Sequence, residues 1–171
     1  PPQPLEPWME ELYRRVSDHQ TMGSVVDELR ASLADVENCM DQYFRDPGND
    51  TLLGSVPPKL QQMRGVLSVL GLDQASLAVA RMRELVETLM QGGIAAEAQP
   101  AVFERIGNSL GALGFLIDML GYQRALARKL FVYDEEHGEL RSLMGRAPAQ
   151  APQESEVLDI ALVPDEVPAP A

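Results

Sequence analysis

Cysteine and aromatic residues are scarce in this sequence. Cys39 is the one cysteine, so no internal disulfide can form, which fits a protein of the reducing cytoplasm. It lies within an apolar helical pattern, and we expect a small buried or half-buried side chain there rather than a reactive thiol. Aromatic residues make up 5% of the chain, and most apolar residues are Leu, Val, Ala or Met. This composition favours helices over sheets.

Long apolar runs and the features of a signal peptide are also missing. No apolar stretch approaches the length that crosses a bilayer, and the N-terminus has no basic region followed by an apolar one. The chain begins without methionine, so we expect a domain excised from a longer protein, with a processed product as the alternative. The net charge of -12 predicts that nucleic acid and anionic membranes are poor partners, because both carry negative charge.

Positive charge is absent from the end of the chain. After Arg146 the sequence contains no Lys or Arg and is rich in Pro, Ala and acids. We therefore expect residues 146–171 to form a disordered acidic linker. Its one apolar stretch, VLDIALV at residues 157–163, is either a docking motif or an apolar accident within the linker.

Residues that build common catalytic sites are few and lie far apart. His19 and His137 are the two histidines, and neither has a His or Cys neighbour at the spacing of a zinc site. The phosphate-binding GxxxxGK loop and the GxSxG motif are missing. DEEHGE at residues 134–139 could attract a divalent cation, although we favour a solvated acidic loop. The sequence therefore predicts no metal site, no cofactor and no enzymatic activity.

Apolar residues recur at alternating steps of three and four, which predicts helices packed in a bundle. Residues 1–7 have linker composition, and residues 8–19 are expected to form a short extra helix. Trp8 should anchor that helix onto the main body, with a partner-binding hot spot as the alternative. The longer helices are expected at residues 22–45, 57–70, 73–92 and 100–120. Their predicted inward-facing residues are Val26, Leu29, Leu33, Val36, Met40 and Tyr43; Leu60, Met63, Leu67 and Leu70; Ala78, Met82, Leu85 and Leu89; and Phe103, Ile106, Leu110, Leu113, Ile117 and Leu120.

Three glycines lie within the last of these helices. Gly107, Gly111 and Gly114 each cost about 1 kcal/mol relative to alanine in a helix interior. They predict the close approach of another backbone, either within the bundle or from a second chain. Gly121 is expected to interrupt this helix, and LFVY at residues 130–133 is either a helix end or a short extended piece that docks on the bundle.

The helix at residues 57–70 has a polar outer face with an informative spacing. With the leucines facing inward, Gln61, Arg64, Gly65 and Ser68 face outward. A phosphotransfer helix needs this layout, because its histidine must face solvent and a cation one turn later binds the phosphoryl oxygens. A glycine nearby lets the partner backbone come close. Gln61 stands where that histidine would be, and an amide nitrogen is not a usable nucleophile.

Residues 29–120 resemble the histidine-phosphotransfer (Hpt) modules near the N-terminus of CheA-like hybrid kinases of the ChpA or PilL type. They are also similar to the related FimL-type scaffold, which is assembled from degenerate modules of this kind. The kinases act in two-component, chemotaxis-like signalling that controls type IV pilus twitching motility. The motifs that carry the resemblance are YFRDPG, LQQMRGVLSVLGL, ARMRELVE and NSLGALGFLIDMLGYQ.

The resemblance implies an all-α fold, with a four-helix up-down bundle at residues 21–145. Residues 1–20 would supply the linker and the extra N-terminal helix, and residues 146–171 the disordered acidic tail. It also implies a cytoplasmic location without membrane insertion. The implied partners are response-regulator receiver domains or neighbouring domains of the same kinase.

We predict a non-catalytic pseudo-phosphotransfer domain that binds its partner through Gln61, Arg64, Gly65 and Ser68. Two alternatives remain at this point. The first is a structural spacer or homodimerisation bundle that binds no receiver. The second is an active phosphotransferase that uses His19 or His137.

Overall fold

The computed structural model describes residue 4 and residues 6–143. Five α-helices and a two-stranded sheet follow one another: α1 Pro7–Arg45, α2 Val56–Val69, α3 Asp73–Met90, α4 Gln99–Leu120, α5 Arg124–Leu130, β1 Phe131–Asp134 and β2 Glu139–Ser142. Short 3-10 helices at Asp50–Leu53 and Ala96–Ala98 lie in the connections. The predicted disordered tail and the VLDIALV stretch lie outside the described residues. So does the predicted boundary after residue 145, while the boundary after residue 20 stays a prediction.

The prediction of a separate N-terminal helix is wrong. A single helix, α1, runs without a break from Pro7 to Arg45. The polar residues around His19 had indicated a break, but they contain neither proline nor a turn sequence. Their backbone therefore continues the helix, and their side chains are exposed.

Trp8 does not anchor the N-terminal end of α1 onto the body of the protein. Its side chain is 63% exposed, and Leu12, Tyr13 and Val16 are exposed as well. No side chain between Pro7 and Thr21 is buried. The anchoring prediction is wrong because this part of α1 lies beyond the helices that cover the rest of it.

The other half of α1 carries the stripe that the sequence predicts. All six expected residues are buried: Val26, Leu29, Leu33, Val36, Met40 and Tyr43. Ion pairs and hydrogen bonds fix its neighbours. Lys59 Nζ lies 2.7 Å from Asp35 Oδ2 on the α2 side, and Arg30 Nη2 lies 2.9 Å from Asp118 Oδ1 on the α4 side.

Contacting helices run in opposite directions. Lys59 of α2 contacts Asp35 of α1, and one turn further along α2 Gln62 donates to Glu28 at 3.0 Å. Residue numbers therefore rise along α2 as they fall along α1. At the far end of α1, the Phe44 and Phe103 rings stack with centroids 4.3 Å apart. These contacts place α2 and α4 antiparallel to α1.

A single apolar core joins the helices. Leu60, Met63, Leu67, Leu113 and Ile117 are almost completely buried in it. Two of the predicted core residues, Leu85 and Phe103, are only partly buried and pack against its edge.

The chain leaves α2 through Gly71, whose positive φ of 76° suits glycine. Arg128 Nη2 donates to the carbonyl of Leu70 there, at 2.8 Å.

The last part of the described chain departs from an all-helical fold. The LFVY stretch is extended from Phe131 onward and forms β1, which pairs with β2. The turn between β1 and β2 contains Gly138, whose φ is 68°. The buried hydroxyl of Ser109 on α4 accepts a hydrogen bond from the Leu140 N–H at 3.1 Å, which holds β2 to the helices. Helix remains the dominant structure, as predicted, and the hairpin is an addition to it.

The residues up to Arg141 belong to one compact unit, and Ser142 begins a second one. The structure describes only residues 142 and 143 of the second unit. Among the helices of the described part, none is long and apolar enough to span a membrane.

Candidate functional site

The four residues predicted to bind a partner share one exposed surface of α2. We call Gln61, Arg64, Gly65 and Ser68 the α2 face. All four are exposed, while Leu60, Met63 and Leu67 on the other side of the helix are buried in the core. Pro57 and Pro58 lie in the first turn, where a missing N–H costs no internal hydrogen bond. The helix therefore presents the α2 face to solvent with the spacing that the sequence predicts.

Arg83 of α3 borders the α2 face and was not predicted from the sequence. Its Nη1 donates a hydrogen bond to Oε1 of Gln61. Arg83 Nε lies 3.7 Å from Glu87 Oε1 and is buried, without a hydrogen-bond partner among the described residues. The signal in the sequence was weak: Arg83 and Glu87 lie four residues apart, a spacing that usually indicates only a helix-surface ion pair.

Arg64 supplies a second positive charge on the same surface. Its side chain is exposed and forms no ion pair within the part of the chain that the structure describes. Its backbone is fixed, because Ser76 Oγ of α3 donates to the Arg64 carbonyl at 3.2 Å. Arg83 therefore contacts Gln61 directly, while Arg64 lies one turn further along the same face and has no carboxylate partner among the described residues.

Open space lies over Gly65. A Cβ atom built at this position would meet no described atom within 4 Å. Beside it, a groove of about 490 Å³ runs between α1 and α2, lined by Val25, Gln62, Gly65, Val66, Val69 and Leu70. Val69 is 85% exposed, although it is apolar. Packing among the described residues does not require a glycine at position 65, and these residues leave the apolar surface of the groove uncovered.

The acidic hairpin turn forms a second cluster of polar groups. Ligand atoms of Asp134, Glu136 and His137 lie within 4.8 Å of one another. His137 Nδ1 and Asp134 Oδ2 are 2.7 Å apart, and Arg141 Nη1 lies 3.4 Å from the same oxygen. The backbone N–H of His137 donates to Asp134 Oδ1 and lowers the pKa of this carboxyl below its usual value. Asp134 is therefore already paired with His137 and with the Arg141 guanidinium, whose positive charge disfavours a cation beside this carboxylate.

The histidines and the cysteine lie away from the α2 face. His19 is exposed on the N-terminal half of α1, and His137 lies in the hairpin turn. Cys39 is half-buried in α1, as predicted, with its Sγ 3.7 Å from Ser55 Oγ. None of the three lies on α2, where Gln61 accepts a hydrogen bond from Arg83 of α3 and Arg64 lies one turn further along the helix.

Comparison with known proteins gives one match. The model of the FimL C-terminal domain family matches residues 17–133, more than half of the chain. The chain belongs to this family. The match begins within α1, after the exposed Trp8 and Leu12, and ends within β1, so it covers the whole α2 face of this FimL-type domain. Neither the curated proteins nor the solved structures gave a match. The finer likeness to kinase modules of the ChpA or PilL type stays a prediction.

Proposed function

We propose that this FimL-type domain is a non-catalytic scaffold module of type IV pilus twitching motility. It binds a protein partner through the α2 face. The observation that carries the proposal is the open space over Gly65, beside an uncovered apolar groove and two guanidinium groups. Apolar surface of this kind, bordered by polar groups, is typical of protein-binding sites.

The absence of catalysis rests on the chemistry of Gln61. A phosphorelay needs an imidazole that accepts the phosphoryl group, and an amide nitrogen has no comparable nucleophilicity. Gln61 Oε1 is also engaged as a hydrogen-bond acceptor by Arg83. The position therefore serves recognition, and the domain acts as a pseudo-phosphotransfer module in the cytoplasm.

The partner that we propose is a response-regulator receiver domain, with a neighbouring domain of the same kinase as the other candidate. The phosphorylation site of a receiver carries carboxylates, which attract the guanidinium groups of Arg64 and Arg83. The antiparallel contacts of α1 with α2 and α4 support the four-helix up-down arrangement of phosphotransfer modules. In that arrangement the outer face of one helix meets the receiver.

Titration of the isotope-labelled chain with the receiver domains encoded beside its gene tests this proposal. We expect amide shifts centred on Gln61, Arg64 and Gly65. Gly65→Leu should abolish them by filling the open space. Gly23→Leu is the matched control, because Gly23 is also helical and has nothing within 4 Å of an added Cβ.

The alternative is a spacer or dimerisation bundle, and one observation favours it. Trp8, Leu12 and Val16 leave apolar surface exposed on α1, away from the α2 face. If no receiver shifts the α2 face and light scattering shows a dimer, the spacer explains the protein and the receiver proposal is wrong.

A further inference from the structure

A second groove lies between α1 and α4 and shares no residue with the α2 face. Its volume is about 260 Å³. Met40, Phe44 and Leu110 supply its apolar floor, and Gly107 and Gly111 form the α4 wall. Phe44 is only partly buried, so part of its ring remains available for contact. We call this feature the α1–α4 groove.

The two glycines are not explained by packing within this chain. A Cβ atom at Gly107 or Gly111 would meet no described atom within 4 Å, whereas one at Gly114 would lie 3.4 Å from Leu33 Cδ2. The predicted close approach of another backbone within the bundle is therefore wrong for Gly107 and Gly111 among the described residues, and the neighbour at Gly114 is a leucine side chain rather than a backbone. Each helix-interior glycine costs about 1 kcal/mol relative to alanine. What the pair provides is an open groove whose wall is backbone.

Carboxylates border the α1–α4 groove. Glu37 and Asp41 line its α1 side, and Glu104 lies one turn before Gly107 on α4. Asp41 pairs with Arg45 at 3.0 Å, while Glu37 and Glu104 form no ion pair in the described part of the chain. Toward the other end, Arg30 is held by Asp27 and Asp118. The rim of the groove is therefore acidic, with two carboxylates that lack a basic partner.

The negative charge of the rim favours a basic partner in the α1–α4 groove over a second copy of this chain. A second copy of the chain that presented the same face would bring Glu37 and Glu104 toward their own counterparts, and like charges across an interface are unfavourable. A basic segment would instead pair with both carboxylates while its apolar side chains cover the exposed part of the Phe44 ring. The groove lies between two helices, and the exposed backbone at Gly107 and Gly111 admits a third helix at short distance.

We propose that the α1–α4 groove is a docking site for an amphipathic helix of a protein partner, with small apolar side chains on one face and Lys or Arg beside them. The site is independent of the α2 face. A module with both surfaces holds two partners at once, which is what a scaffold requires.

Two synthetic helical peptides with the same Leu/Ala stripe test the proposal on the full chain. One peptide carries flanking lysines and the other carries flanking glutamates. Fluorescence anisotropy should show binding of the lysine peptide only, and amide shifts should centre on Gly107, Gly111 and Met40. Gly111→Leu should weaken this binding at least tenfold, about 1.4 kcal/mol. Gly23→Leu, at a helical glycine outside both surfaces, should leave it unchanged.

A pair of charge variants separates the groove from the general acidity of the protein. Glu37→Gln should weaken the lysine peptide, whereas Glu10→Gln makes the same charge change on the exposed end of α1 and should have no effect. Three outcomes would overturn the proposal: equal binding of both peptides, equal effects of the two charge variants, or a dimer in light scattering that Gly111→Leu dissociates. None of these depends on the receiver titration, so the two proposals stand or fall separately.

Discussion

Arg83 of α3 donates a hydrogen bond to Gln61 of α2, the residue that the predicted likeness to phosphotransfer modules aligns with their histidine. This contact joins two helices across the surface where we propose that a partner binds. It also places a guanidinium beside residue 61, where it could bind phosphoryl oxygens if residue 61 were a histidine.

Gln61→His should therefore restore phosphoryl transfer. Residue 61 is exposed, so the substitution should change the free energy of unfolding by less than about 0.5 kcal/mol. With a phosphorylated receiver domain as donor, the variant should gain an acid-labile phosphoryl group at position 61. The unsubstituted chain is the control and should gain none. A label on its His19 or His137 would instead show an active phosphotransferase.

Gly71 has a positive φ and Gly65 lies within a helix, so replacing each by alanine should change the free energy of unfolding in opposite directions. Gly71 has a φ of 76°, and an added Cβ would lie 2.8 Å from Arg128 Nη2, so Gly71→Ala should destabilise the fold by about 1–2 kcal/mol. Gly65 lies within α2 with open space around it, so Gly65→Ala should stabilise by about 0.5–1 kcal/mol. Urea unfolding of both variants measures the difference, and destabilisation by Gly65→Ala would contradict the structure of α2.

Ser109→Ala should destabilise the protein through β2. The buried Ser109 hydroxyl accepts the Leu140 N–H at 3.1 Å, and its loss leaves that donor without a partner. We expect a loss of about 1–2 kcal/mol in thermal or urea unfolding. Ser68→Ala is the control, since Ser68 is exposed on α2 and should change the stability by less than about 0.5 kcal/mol. Equal effects of the two variants would mean that the hairpin is not held by Ser109.

The pKa of Asp134 predicts a stability difference that depends on pH. The His137 N–H lowers this pKa in the folded protein, so the carboxylate stabilises the fold above its unfolded pKa, and that contribution disappears as the pH falls through the folded pKa. Asp134→Asn removes it. The difference in unfolding free energy between the two chains should be constant above about pH 5 and shrink below about pH 4. A difference that does not change with pH would show that Asp134 titrates normally.

Removal of residues 1–20 should leave the core intact. No side chain between Pro7 and Thr21 is buried, so the free energy of unfolding should change by less than about 1 kcal/mol. In the full chain, Trp8 should fluoresce as a water-exposed indole and be quenched by acrylamide. A protected tryptophan together with a large loss of stability would mean that this segment packs against the body of the protein.

The sequence predicts the core of this domain well because the apolar stripe of a helix is a local property. The buried residues of α1, from Val26 to Tyr43, follow from spacing alone, and Gly71 and the DPGND turn mark helix ends through their own backbone preferences. The exposure of Trp8 depends instead on neighbouring helices, which spacing does not specify. Trp8 is apolar and lies on an amphipathic segment, yet no helix extends far enough to cover it.

The candidate site was predictable only in part, for the same reason. The α2 face follows from the period of one helix. The Arg83 contact with Gln61 depends on how far α3 is shifted along α2, which heptad spacing leaves open. The hairpin was missed as a sheet because DEEHGE reads as an acidic loop, and its pairing depends on Ser109 of α4, far away in the sequence.

The length of α1 has a mechanical consequence. Thirty-nine residues form one helix, about 58 Å long at 1.5 Å per residue, and its two halves share an unbroken ladder of backbone hydrogen bonds. Twisting the exposed end without the buried half would break several of those bonds. A partner that binds Trp8 and rotates the exposed end of α1 should therefore also rotate Val26 and Leu29. Movement of the exposed end would in this way reach the core.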